Sequence, residues 1–112
     1  MSIAERIKAR TSQKRHFDVA EWGEDGKPER VFYGPLLAVE LNRIQRKHPN
    51  FLQSASFEAM VDLIVLKSEK SDGEKMFTLE DKPVLMREEV GIISTVAAAL
   101  MSGSSVEELE KN

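Results

Sequence analysis

Side-chain chemistry in this chain could begin with its two histidines, His16 and His48. Neither has a partner at metal-ligand spacing such as H-E-x-x-H. His48 precedes Pro49 at an expected helix end, where the helix dipole favours an imidazole. Cysteine is absent, which removes a disulfide scaffold, a thiolate metal site and a cysteine nucleophile together. The segment Glu69–Glu74 carries acids around Asp72-Gly73, but its oxygens are out of register for a calcium loop, and it reads as a turn. Glu88-Glu89 and Glu107-Glu108 are adjacent carboxylates; neighbours on a helix diverge and form no acid–base pair by themselves. Gly-rich phosphate cradles and the G-x-S-x-G elbow are missing from the sequence. Neither a metal nor a cofactor nor a small-molecule substrate is expected, and the chain reads as a non-enzyme.

Binding chemistry is better represented. Trp22, Phe32 and Tyr33 lie close together in sequence and are three of the chain's seven aromatic residues. They either close the core or present an aromatic anchor to a partner, since Trp and Tyr dominate many interfaces. Val106 and Leu109 form a second small apolar patch near the C-terminus. Arg6, Arg10 and Arg15 lie in a basic N-terminal stretch that could steer an acidic partner. The net charge of −3 conceals an asymmetry: residues 1–50 carry ten Lys and Arg against seven Asp and Glu, and residues 51–112 carry six against twelve. A nucleic-acid-binding domain usually has a basic excess, so nucleic acid is not an expected partner.

These residues need elements to position them. At 112 residues and 41% hydrophobic content the chain fits one domain with a modest core. Ser2 and Glu5 stand at capping-box spacing, which predicts a short basic helix over residues 1–15. HFDVAEW and ERVFYG, joined at Asp25-Gly26, predict a hairpin over 16–34, with Glu21 opposite Arg30 and Val19 opposite Phe32. Gly34-Pro35 predicts a helix start, and Leu37, Leu41 and Ile44 give that helix its apolar face. A second helix is expected from about Phe57 to Ser68. Thr78 with Asp81 signals a short helix limited by Pro83, and a last helix is expected over Arg87–Met101. Leu37, Leu41, Ile44, Met60, Ile64, Ile93, Val96 and Leu100 are the expected core. The fold class is α+β, mostly α, with a hairpin near the N-terminus packed on three to four helices. Residues 16–103 form the globular part and 104–112 an acidic tail. No apolar run approaches the roughly 18 residues of a membrane span, so a soluble, cytoplasmic protein with no membrane partner is expected.

The order of the pieces carries a resemblance. EWGEDGKPERVFYGPL precedes a charged helix and an apolar helix; then comes Ser71-Asp72-Gly73-Glu74-Lys75-Met76-Phe77-Thr78-Leu79-Glu80-Asp81, and an alanine-rich helix closes the set. Over about residues 16–102 this resembles the tail assembly chaperones of long, non-contractile-tailed phages and related prophages. The resemblance implies a non-catalytic factor that coats the tape measure protein and keeps it soluble while the tail tube polymerises. It also implies action in the bacterial host cytoplasm, absence from the mature virion, and the tail tube protein as an additional partner, while the small size of the domain against a long partner adds further copies of the chain. Trp22, Phe32, Tyr33, Val106 and Leu109 are then the expected contact residues. A small adaptor or regulatory binding module is the alternative, and a nucleic-acid-binding regulator a weaker one.

Overall fold

The computed structural model describes residues 2–102. Helix α1 (Ile3–Thr11) begins where its cap was expected: the Ser2 hydroxyl accepts the Glu5 backbone N–H at 3.1 Å. It buries no residue, and Ile3 and Ile7 remain 69% and 47% exposed.

Strands β1 (Arg15–Glu24) and β2 (Lys27–Tyr33) form the antiparallel hairpin. Asp25 and Gly26 both take positive φ, 55° and 75°, the backbone that a tight two-residue turn demands. The expected register holds only at this turn, where Glu24 faces Lys27. Farther along, Phe17 faces Val31, Asp18 faces Arg30 and His16 faces Phe32. The expected pairings of Glu21 with Arg30 and Val19 with Phe32 are thus corrected. The cause is a bulge in which Ala20, Glu21, Trp22 and Gly23 stand opposite Pro28 alone. Proline has no N–H for the ladder, so β1 can leave it there. Glycine at 23 is required because a Cβ would overlap the Lys27 carbonyl.

The outer edge of β2 is extended by a segment that the sequence reading treated only as a turn. Phe32 and Glu69 exchange backbone hydrogen bonds of 2.9 and 2.8 Å, and Glu69 bridges to Lys75. The Ser71–Gly73 turn is therefore the tip of a second, very short hairpin, with Gly73 at φ 87°.

Helix α2 (Ala38–Lys47) starts three residues after Pro35, a correction to the expected start. Glu40 fixes the start, since its carboxylate accepts the Leu37 N–H at 2.9 Å. Pro35 instead lies in the connector, and its carbonyl receives the buried Lys67 ammonium at 3.0 Å. Helix α3 (Phe57–Lys67) is capped by Ser56, whose hydroxyl accepts the Ala59 N–H. A 3₁₀ turn over Leu79–Asp81 leads into the four-residue α4 (Lys82–Leu85), where Pro83 stands in the first turn and so does not set the helix's end, and α5 (Val90–Ser102) closes the described chain.

The core lies where α3 and α5 cross beneath the hairpin. Val61, Leu63 and Ile64 of α3 meet Ile93, Val96 and Leu100 of α5, and Val19, Val31 and Tyr33 cover them from the sheet. Ile44, Ile64, Ile93, Val96 and Leu100 are buried as expected, whereas Leu37, Leu41 and Met60 are only half-buried. The architecture is α+β and mostly α.

Candidate partner-binding surface

The three hairpin aromatics are not brought together. Successive strand residues point to opposite faces, so Phe32 turns outward and meets the His16 ring edge-on at 5.5 Å. Tyr33 turns inward, 6% exposed, and packs by Phe17 with ring centres 5.5 Å apart. It is a core residue, and its ring offers a partner no surface anchor. Trp22, thrown out by the bulge, leans on Phe77 edge-on at 5.5 Å. Its indole N–H donates to Glu88 Oε2 at 2.8 Å.

That hydrogen bond joins two apolar grooves. One, of about 380 Å³, lies between the hairpin and α4 and is walled by Trp22, Met76, Phe77, Val84 and Leu85. The other, of about 220 Å³, lies where α3, α4 and α5 meet and is walled by Phe57, Val61, Met86, Val90 and Ile93. Leu85 and Glu88 belong to both. Val84 is 71% exposed, Val90 63%, and Phe57 and Met86 are each 45% exposed. Such contiguous apolar surface is the usual mark of an interaction site. The residue types suit the task, since the flexible methionine side chain adapts to varied apolar partners.

Glu88 owes its position to α5 starting at Val90 instead of at Arg87 as expected. It stands ahead of the helix, where its Oε1 accepts the Glu89 N–H at 2.7 Å. That backbone bond, then the Trp22 indole, holds the Glu88 carboxyl below the usual carboxylate range. The sequence reading treated Glu88 only as half of an adjacent acid pair and missed its role here. Its signal is contextual, because nothing local to Glu88 announces a tryptophan 66 positions away.

The remaining expected residues are dispersed. Arg6 and Arg10 are exposed on α1, and Arg15 begins β1 half-buried, with one guanidinium nitrogen lacking a partner. Val106 and Leu109 lie outside the described residues.

A second polar cluster was also not anticipated. His48 Nε2 lies 2.7 Å from Asp62 Oδ2, and Lys82 reaches Asp62 Oδ1 at 2.9 Å. Lys47 approaches Asp62 at 3.4 Å and Glu58 at 3.9 Å. Ligand atoms of His48, Glu58 and Asp62 lie within 4.8 Å of one another, yet two ammonium groups already stand against these carboxylates. The set is best described as an ion-pair network tying α2, α3 and α4. Burial would raise the Asp62 carboxyl, but hydrogen bonds from His48 and Lys82 and the Lys82 and Lys47 charges outweigh it and hold it low.

No helix among the described residues is long and apolar enough to cross a membrane. Compared with known proteins, the chain matches no family model, no curated protein and no solved structure.

Proposed function

We propose that this protein is a non-catalytic tail assembly chaperone that binds the tape measure protein of a long-tailed phage or prophage and keeps it soluble in the host cytoplasm. The observation that carries the reading is the pair of adjoining apolar grooves around Leu85 and Glu88, with Val84, Met86, Val90 and Phe57 exposed beside them. The EWG…SDGEKMF…ED order in the sequence supports the same family, and its EWG and SDGEKMF pieces reach this surface through Trp22, Met76 and Phe77.

Size governs the stoichiometry. A standard interface takes about 800 Å² per partner, so one small domain covers only a short stretch of a long chain. Many copies must line the tape measure protein, each bound modestly, and neighbouring copies reinforce one another through local concentration.

Co-expression with the tape measure protein tests the proposal. Soluble co-purification with many copies per chain is expected. Val84→Asp should abolish it while leaving the fold intact, because Val84 is exposed. If the tape measure protein stays insoluble beside a well-folded wild-type protein, the alternative of a small adaptor takes its place.

A further inference from the structure

The charge of the grooves says which apolar segment they take. Among the residues lining both grooves the only charged side chains are Glu29 and Glu88; no lysine, arginine or histidine lines either one. Glu88 accepts from the Trp22 indole and the Glu89 backbone. Among the described residues, no ion pair includes Glu88 or Glu29. A wholly apolar segment laid across the two grooves would strip water from an unpaired carboxylate, which is strongly unfavourable. A segment bringing a cation to that point replaces the lost water with a charge-assisted hydrogen bond.

The backbone of the grooves adds a second constraint. Half of the lining residues lie outside helices, but around the shared residues Leu85 and Glu88 the backbone is spent locally: the Met86, Arg87 and Glu88 N–H groups donate to the Lys82, Val84 and Leu85 carbonyls, and the Glu89 N–H goes to the Glu88 carboxylate. That stretch offers an extended peptide few main-chain partners, so the occupant must satisfy its own backbone, as a helix does. On a helix, residues three and four apart share a face at about 5–6 Å. Two apolar anchors can then enter the grooves on either side of Leu85 with a cation between them.

We propose that the grooves take an amphipathic helix carrying a lysine or arginine between its apolar anchors, and that Glu88 selects it. This rests on the chaperone reading only for the identity of the natural partner, and it deepens that reading by naming the segments of the tape measure protein that are bound. The selection works by penalty as well as by attraction: an acidic or uncharged apolar helix leaves Glu88 repelled or stranded.

Trp22 is the only tryptophan in the chain and lines the groove, so its fluorescence reads occupancy. The probes are two tryptophan-free helical peptides of matched length, one of leucine and lysine and one of leucine and glutamate. The full chain should bind the Leu/Lys peptide saturably, with a spectral change at Trp22, and the Leu/Glu peptide at least tenfold more weakly. Glu88→Gln removes the charge and keeps one acceptor oxygen, for the indole, while giving up the Glu89 N–H bond, and should weaken Leu/Lys binding about tenfold. Glu80→Gln, which removes an exposed carboxylate outside both grooves, controls for net charge and should bind like wild type. Equal affinity for the two peptides, or equal effects of E88Q and E80Q, overturns the proposal even if the tape measure protein co-purifies. If the Leu/Lys selectivity holds but the tape measure protein does not co-purify, the chaperone assignment falls and the role of Glu88 stands.

Discussion

Replacing Lys67 by methionine should be among the most damaging single changes in this protein. The side chain is only 6% exposed. Its ammonium donates to the Pro35 carbonyl at 3.0 Å and to Glu40 Oε1 at 2.9 Å, while that same oxygen accepts the Leu37 N–H. One cation thus fixes the strand-to-helix connector and the start of α2. Methionine preserves the apolar stem and removes the charge, leaving a carbonyl unpartnered and a carboxylate with a single amide donor. Breaking one side of a buried pair costs about 3–5 kcal/mol. Glu40 retains 18% exposure and can recruit water, which puts the expected cost near the low end, about 3 kcal/mol. Glu40→Gln in the same background should cost little more, because the charge it removes has already lost its partner, and the two changes should couple by about 1–2 kcal/mol. Urea unfolding followed by far-UV circular dichroism measures both quantities, provided the m-value is unchanged. A Lys67→Met protein within about 1 kcal/mol of wild type, or additive single effects, would refute the clamp.

Three further outcomes are expected. Ile64→Ala, in a fully buried site between α3 and α5, should cost about 2–5 kcal/mol in the same assay, while exposed Val84→Asp should stay within about 0.5 kcal/mol. Asp62 has a depressed folded-state pKa, so its stabilisation is complete above the unfolded value and is lost as pH falls through the folded one. The urea midpoint of Asp62→Asn should therefore lie below wild type at pH 7, with the gap closing as pH falls below the ordinary aspartate range. Gly23→Ala should break the bulge, because the added Cβ would also lie 2.8 Å from the Pro28 Cα. A changed Trp22 emission spectrum and a lowered midpoint are the readouts, and an unaltered spectrum would show that the bulge does not place Trp22.

The elements most legible in the sequence were those whose signals are local. Asp25-Gly26 marked the hairpin turn, Ser2 stands at a real helix cap, and the 3.6-residue spacing of Ile93, Val96 and Leu100 located the buried face of α5. What escaped depends on contacts between distant segments. A hairpin register read outward from its turn assumes an unbroken ladder, and the bulge of Ala20–Gly23 opposite Pro28 shifts it. Lys67 and Glu40 look like ordinary surface charges until the fold pairs them across α2 and α3. The candidate site was half legible. Trp22 stood out by type and Met76-Phe77 by motif, but Tyr33 turned inward because strand parity, and not aromatic character, decides its face. Glu88 was invisible as an anchor because its meaning comes from the indole across the groove.

Site-specific photo-crosslinking during co-expression with the tape measure protein tests the central claim most directly. A photoreactive phenylalanine at Val84 lies on the proposed surface, and one at Val39, also exposed but outside both grooves, is the control. The predicted result is a covalent adduct with the tape measure protein from position 84, absent from position 39 and lost from position 84 when Glu88 is also changed to lysine. Adducts from position 39 alone, or equally from both positions, would contradict the account.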